Sequence, residues 1–110
     1  MQTITRQQAE QKLNGEDEVV LIETLPEEYF RKFHLPGAVN IPTADPEFES
    51  KAKDAIPDKS TPVIVYCQNT ECDASPKAGR RLESLGYANV FDYEDGKEDW
   101  QDAGNAVESV

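Results

Sequence analysis

The sequence predicts an α/β fold in which a parallel β-sheet is covered by helices on both faces. Short β-branched apolar runs alternate along the chain with segments whose apolar residues recur at helical spacing. Two of the runs, 19–22 and 63–67, are apolar without interruption, as expected for strands buried on both faces. Strict alternation of this kind requires right-handed crossover connections, so the strands should lie side by side in one sheet.

The predicted elements follow one another along the whole chain. The strands are predicted at 19–22, 38–41, 63–67 and 90–93. The helices are predicted at 6–13, 27–33, 46–55, 75–85 and 97–103. No repeat, low-complexity tract or linker interrupts the series, so residues 1–110 are interpreted as a single domain.

In the first half, capping and turn residues mark where the elements begin and end. Thr5 is suited to cap the first helix, and Gly15 is suited to end it. Pro26 supplies the backbone angle favoured at a first helical position. Pro36 and Gly37 predict a turn before the second strand.

The same signals divide the second half. The third helix should end before Pro57, because the residue ahead of a proline avoids the helical conformation. Ser75 followed by Pro76 predicts the start of the fourth helix. Gly86 is placed to close that helix in a left-handed conformation, and Gly96 belongs to a turn before the last helix.

Composition and charge exclude several classes of function. The 110 residues include 11 Lys and Arg against 22 Asp and Glu, a formal net charge of -11. Such a chain repels phosphate backbones and anionic lipid headgroups, so nucleic-acid and membrane-surface roles are disfavoured. No apolar run approaches the roughly 20 residues that span a bilayer, and no secretory signal is recognisable. We therefore expect a cytoplasmic protein, whose oligomeric state the sequence leaves open.

Cys67 and Cys72 are too few for a disulfide scaffold and are not at zinc-site spacing. Cys67 ends the predicted central strand, where ligands collect in parallel sheets. The polar run at 68–74 and the helix start at Ser75 follow it, and such a loop and helix end can stabilise an anion. A thiolate there would be a nucleophile of lowered pKa. A buried apolar cysteine is the alternative, and spacing alone does not separate the two.

Ordered motifs in both halves of the chain resemble those of the single-domain rhodaneses. In the first half these are VLIE at 20–23, PEEY at 26–29 and HLPGAVNIP at 34–42. In the second half they are the strand ending at Cys67, then Ala78, Leu82, LGY at 85–87, Val90, Gly96, Trp100, Ala103, Gly104 and Val107. The match covers nearly the whole chain, and it implies a central, mostly parallel five-stranded sheet with helices on both faces.

The resemblance also implies a function, that of a sulfurtransferase. Cys67 would take a sulfane sulfur from thiosulfate or a persulfide, become a persulfide itself, and pass the sulfur to a thiol or to cyanide. The loop after Cys67 would hold the terminal sulfur, chiefly through backbone N–H groups. Its members would be Gln68, Asn69, Thr70, Glu71, Cys72, Asp73, Ala74 and Ser75. No metal or organic cofactor is required.

The charge of the loop departs from the family pattern. It carries Glu71 and Asp73 but no Lys or Arg, so it should bind the thiosulfate dianion poorly unless Lys77, Arg80 or Arg81 reaches over its rim. A small neutral sulfur donor or a persulfide-bearing protein partner suits an anionic loop better.

Cys72 is the second departure. Its spacing from Cys67 and Ser75 is similar to that of a longer-loop subset of rhodanese-like domains with two cysteines. Cys72 is then either a resolving thiol, which attacks the Cys67 persulfide or forms a disulfide with Cys67, or a loop residue without a chemical role.

Two other functions compete with sulfur transfer. Cysteine phosphatases share the rhodanese fold, but they need a loop Arg to hold the phosphoryl oxygens, which Glu71 and Asp73 would repel. The alternative from another class is a noncatalytic rhodanese-like module that binds a protein or senses oxidants through Cys67 and Cys72.

The remaining conspicuous side chains are interpreted as structural. We assign His34 to a hydrogen-bonded turn, Glu23 to structural hydrogen bonds and Trp100 to packing of the last helix. Arg80 and Arg81 are assigned to a solvated face of the fourth helix.

Overall fold

The computed structural model describes residues 1–110, and all its strands belong to one sheet. The strands are β1 (Gln2–Ile4), β2 (Val20–Glu23), β3 (Val39–Asn40), β4 (Val63–Tyr66) and β5 (Val90–Tyr93). The helices are α1 (Arg6–Asn14), α2 (Glu27–Lys32), α3 (Phe48–Ala55), α4 (Ala74–Ser84) and α5 (Gly96–Asp102). None of these helices is long and apolar enough to cross a membrane.

The five strands lie in the order β1-β5-β4-β2-β3, and every neighbouring pair is parallel. β4 occupies the centre, and all four of its residues are buried. Because side chains alternate along a strand, Val63 and Val65 pack in one core cluster while Ile64 and Tyr66 pack in another. α3 and α4 contribute to the first cluster, and α1 and α5 border the second. The predicted α/β sandwich, with helices on both faces of a five-stranded sheet, is confirmed.

Capping and turn residues act largely as predicted. The Thr5 hydroxyl accepts from the Gln8 amide at 3.2 Å, while the Gln8 side chain accepts from the Thr5 amide at 2.9 Å. Gly86 follows α4 with a φ of +99°. The predicted start of α4 is corrected by one residue, because Asp73 is the N-cap and Ser75 lies buried within the first turn.

One strand carries no pattern that predicts it. β1 has three residues, of which only Ile4 is buried, so its alternation is too short to be recognised. It pairs with β5 at the edge of the sheet, with Thr3 opposite Asp92. The opposite edge is formed by β3, which is likewise very short.

Candidate active site at the carboxyl end of β4

Cys67 follows β4 directly, so the end of the central strand sets the position of its side chain. The residue is only 1% exposed. Its Sγ lies 3.5 Å from the Oγ of Ser75, which is buried in the first turn of α4. The structure therefore brings together the Cys67 sulfur, a hydroxyl and the positive end of a helix. This juxtaposition suits the stabilisation of a sulfur anion.

The start of the loop is held by α5. The amide of Lys97 donates to the Cys67 carbonyl at 3.0 Å, and the amide of Glu98 donates to the Gln68 carbonyl at 3.1 Å. The Glu98 carboxylate also accepts from the Gln68 side chain at 2.6 Å and from the Asn69 side chain at 3.1 Å. These two hydrogen bonds lower the pKa of Glu98. The first residues after β4 are thus fixed by backbone and side chain of one helix turn.

Gly96 permits this close approach of α5 to the loop. Its φ is +76°, and a Cβ at this position would stand 2.6 Å from the Cys67 carbonyl oxygen. The same Cβ would stand 2.7 Å from the carbonyl carbon of Gln68. Both the backbone conformation and the space therefore require glycine.

The Lys97 side chain ties this region to the core. It is 1% exposed, and its ammonium lies 3.0 Å from the carboxylate of the fully buried Glu23. It also donates to the carbonyls of Tyr29 and Phe33, at 2.8 and 2.7 Å. Tyr66, the last residue of β4, donates to the other Glu23 oxygen at 2.9 Å. The structural role predicted for Glu23 is thereby confirmed.

Burial shifts the pKa values of the titratable groups in this network. It raises the pKa of Glu23, while Lys97 and Tyr66 oppose that rise by hydrogen bonding to the carboxylate. Burial and the neighbouring Glu23 carboxylate raise the pKa of Tyr66 as well. Tyr66 therefore stays a neutral hydrogen-bond donor beside Cys67 rather than acting as a base.

Further along, the loop folds back on itself. The Asn69 side chain accepts from the Glu71 amide at 3.0 Å, and the Asn69 carbonyl accepts from the Cys72 amide at 3.2 Å. This turn returns Cys72 to Cys67, with which it forms a disulfide across a Cα–Cα distance of 6.4 Å. In this disulfide-bonded form, no loop amide donates to the Cys67 sulfur. The amide cradle stays a prediction for the reduced loop.

The charged residues around the loop differ in their partners. Glu71 is exposed, whereas the equally exposed Asp73 lies 2.9 Å from the Lys77 ammonium, which lowers the pKa of Asp73. The assignment of Arg81 to a solvated face of α4 is wrong, because this half-buried side chain donates to the Thr43 carbonyl at 3.0 Å and lies over the Phe48 ring. The remaining cation, Arg80, lines the cleft beside the loop.

That cleft has a volume of about 350 Å³ and contains a residue that sequence reasoning missed. Its walls include Thr70, Glu71, Cys72, Asp73, Ser75, Arg80, Asp92 and Glu94. Asp92 lies in β5 and is only 4% exposed, and its Oδ1 has no hydrogen-bond partner. The signal in the sequence was a carboxylate within an otherwise apolar strand. Burial raises the pKa of Asp92, and Glu94 adds to this, while Ser75 and Arg80 oppose it.

The other residues assigned to structure occupy the places expected of them. The Nδ1 of His34 lies 2.8 Å from the Phe30 carbonyl, which fixes the turn after α2. Trp100 packs edge-on against Tyr93, and its indole donates to the Ala106 carbonyl at 2.9 Å. Neither side chain belongs to the cleft beside the loop.

A parallel five-stranded sheet with a cysteine after its central strand, followed by a loop and a helix, defines a class of α/β domains. Comparison with known families identifies this class more closely, because residues 5–103 match the model of the rhodanese-like domain. The chain belongs to the rhodanese-like domain family.

Three characterised proteins are similar in sequence. The thiosulfate sulfurtransferase PspE of Escherichia coli is 36% identical over 66 residues, which cover 60% of this chain. The adenylyltransferase and sulfurtransferase UBA4 of Candida albicans is 37% identical over 76% of the chain. An HTH-type transcriptional regulator of Mycobacterium tuberculosis, Rv0324, is 32% identical over 83% of it. The match spans 59%, 19% and 38% of the lengths of these three proteins, respectively.

Solved structures give the same fold. The thiosulfate sulfurtransferase of Pseudomonas aeruginosa superposes with a TM-score of 0.82 at 28% identity, over 99% of this chain and 20% of that protein. The rhodanese-like domain of the Alr3790 protein from Anabaena superposes with a TM-score of 0.84, over 100% of this chain and 80% of that one. Its identity of 21% supports the fold alone.

We predict that Gly96→Ala destabilises the protein more than Gly104→Ala does. Both glycines have positive φ, at +76° and +85°, but a Cβ at Gly104 would meet nothing within 4 Å. The conformational cost of about 1 kcal/mol is shared, and the clash with the loop backbone should add roughly 2 kcal/mol at Gly96. Urea denaturation of both variants measures the difference. Equal losses of unfolding free energy would contradict the proposed contact.

Proposed function

We propose that this protein is a sulfurtransferase in which Cys67 carries the sulfur as a persulfide. The observation that carries the proposal is the position of the Cys67 sulfur, 3.5 Å from the Ser75 hydroxyl between the end of β4 and the first turn of α4. Membership of the rhodanese-like domain family supports it. So does the similarity to two proteins named as sulfurtransferases, PspE and UBA4.

The reaction takes two displacement steps at sulfur. The Cys67 thiolate attacks the sulfane sulfur of the donor, whose S–S bond breaks to release sulfite or a thiolate. The thiolate of the acceptor then attacks the outer sulfur of the Cys67 persulfide, and Cys67 leaves as a thiolate. Both steps develop negative charge on sulfur, which the Ser75 hydroxyl and the positive end of α4 stabilise. In the reduced loop, the amides of residues 68–74 would add further donors.

The charges at the rim favour a donor other than thiosulfate. Glu71 and Asp73 both border the cleft, and Lys77 offsets only Asp73. A dianion that approaches Cys67 through this cleft meets more negative than positive charge. A neutral small-molecule persulfide, or a partner protein that presents a persulfide on a neutral or basic surface, meets no such repulsion. We assign the donor to one of these two sources.

A second candidate function, thiol redox sensing, is favoured by the disulfide between Cys67 and Cys72. A peroxide oxidises the Cys67 thiolate to a sulfenic acid. The Cys72 thiolate attacks that sulfur, the S–S bond forms and hydroxide leaves. Reduction by an external thiol restores both cysteines. Cys72 would thus be the resolving thiol, and the disulfide would withhold Cys67 from sulfur transfer.

Cys67→Ser should abolish sulfur transfer and leave the fold intact, because a hydroxyl of similar size cannot accept a sulfane sulfur. The Cys67 carbonyl, which receives the α5 amide, is unchanged by this substitution. Intact-protein mass spectrometry after exposure to a persulfide donor measures the added sulfur, and circular dichroism monitors the fold. Cys72→Ser is the matched control and should still load sulfur. Turnover of Cys67→Ser at the wild-type rate would rule out the proposed nucleophile.

The double substitution Glu71→Gln/Asp73→Asn should improve the use of thiosulfate, chiefly through KM. Repulsion acts alike on bound substrate and transition state, so its loss lowers KM and leaves kcat nearly unchanged. Removal of these two exposed charges should lower KM by roughly two- to five-fold at low salt and by less at high salt.

The matched control for charge is Glu16→Gln/Asp17→Asn. It alters the net charge equally but lies in the exposed connection before β2, at the opposite end of the sheet. This variant should leave KM unchanged. An equal effect of both pairs, or no effect of the loop pair, would contradict the electrostatic argument.

Mild peroxide should convert the reduced protein into a Cys67–Cys72 disulfide that no longer loads sulfur and regains loading on reduction. In Cys72→Ser, the sulfenic acid on Cys67 has no resolving partner, so it should proceed to irreversible sulfinic acid. Peptide mapping after oxidation, beside recovery of loading, measures both results. Recovery of Cys72→Ser to the wild-type extent would leave Cys72 without a redox role.

A further inference from the structure

Sulfur transfer needs the Cys67 thiol to lose its proton, and cationic side chains donate protons rather than accept them. Arg80 lines the cleft, and the three other cations nearby have partners of their own. Lys97 lies 3.0 Å from Glu23, Lys77 lies 2.9 Å from Asp73, and Arg81 donates to the Thr43 carbonyl. No histidine lines the cleft. A proton acceptor must therefore be sought among the carboxylates.

Asp92 is a buried carboxylate that lines the same cleft as Ser75. Ser75 Oγ lies 3.5 Å from the Cys67 sulfur, within reach of a hydrogen bond that a thiol donates to a hydroxyl. Ser75 and Asp92 line the same cleft, and Ser75 opposes the rise in the pKa of that carboxyl. Asp92 keeps one oxygen, Oδ1, buried and without a hydrogen-bond partner. An orphaned carboxylate oxygen beside a serine that touches the nucleophile calls for an explanation.

We infer that Asp92 is a positioning residue for Cys67, which orients the Ser75 hydroxyl and takes up the thiol proton through it. This inference rests on the proposed function only in the assignment of Cys67 as the nucleophile. Cys67 gives its proton to the Ser75 oxygen as Ser75 gives its own proton to Asp92. The thiol and the carboxylate become a thiolate and a carboxylic acid, and Ser75 is regenerated. No oxidant or other reactant is consumed.

The surroundings of Asp92 favour it over the other carboxylates of the cleft as the acceptor of the Cys67 proton. Glu94 follows it in the chain, Glu71 and Asp73 face the cleft from the loop, and Arg80 faces it from α4. The N-terminal ammonium of Met1 pairs with Glu83, and β1 contributes the neutral Thr3. Glu71, Asp73 and Glu94 are exposed, and only Asp92 of this set is buried. Burial raises the pKa of Asp92, which favours this carboxylate as the proton acceptor.

The test is a titration of the thiolate by its ultraviolet absorbance, in reduced Cys72→Ser protein with Cys67 as the only thiol. If Cys67 and Asp92 share a proton, the thiolate signal should rise in two steps. It should rise partly when the pair loses its first proton, and fully when the pair loses its second. Asp92→Asn in that protein should give one step near the ordinary thiol range, about pH 8.5. Its thiolate fraction at about pH 7 should be at least roughly five-fold lower than in the parent.

Ser75→Ala provides a second, independent variant, because it keeps the carboxylate and interrupts the path to it. It should lose the first step as Asp92→Asn does. Glu94→Gln is the matched control, an exposed carboxylate of the same cleft, and should keep two steps. The inference is overturned if Asp92→Asn titrates like its parent or forms thiolate at lower pH, as a merely repulsive charge would predict. Retention of the first step in Ser75→Ala would overturn it equally.

The titration uses no sulfur donor, so it separates the two proposals. A parent protein that loads sulfur but shows a single titration step retains the proposed function and refutes the role of Asp92. A parent that shows two steps that both variants abolish, but never loads sulfur, supports the role of Asp92 and refutes sulfur transfer.

Discussion

The position of Cys67 depends on Lys97, whose backbone and side chain hold different parts of the domain at once. Its amide donates to the Cys67 carbonyl, and its ammonium is shared among Glu23 of β2 and two carbonyls at the end of α2. A buried ammonium is strongly unfavourable unless its hydrogen bonds are satisfied, so these groups must all be present together. The ion pair between Lys97 and Glu23 therefore fixes how α5 packs against the sheet. The packing of α5 in turn fixes the position of the start of the loop.

The loop after Cys67 is hydrogen-bonded to α5 at its start and is exposed further along. Gln68 is held by both the backbone and the carboxylate of Glu98, whereas Thr70 and Glu71 are exposed. Cys67 thus adjoins the more hydrogen-bonded part of the loop, whereas Cys72 follows its exposed part. This division lets Cys72 reach Cys67 in the disulfide without displacing β4.

The elements that could be predicted from the sequence are those marked by local residue patterns. β2, β4 and β5 carry β-branched apolar runs, and Thr5 and Gly86 mark helix ends, so these could be predicted. The partners of Glu23 could not, because Lys97 stands 74 positions away in an acidic stretch where a lysine is expected to be solvated. The place of Cys67 at a strand end allowed both a nucleophile and a buried apolar cysteine, and the resemblance to the rhodaneses favoured the nucleophile, which stays a prediction. The turn that brings Cys72 to it depends on the Asn69 side chain, whose conformation the sequence leaves open.

Asp92 shows why a buried carboxylate needs tertiary context to be interpreted. It pairs with Val65 of β4 and alternates with Phe91 and Tyr93, so the pleat directs it towards the face covered by α4. An apolar residue would fill that place at lower free energy, because a buried charge without an ion pair is unfavourable. The unfavourable group stands behind Ser75, next to the one sulfur at the end of the central strand. An unfavourable group beside the proposed nucleophile fits a site organised for proton transfer rather than for stability.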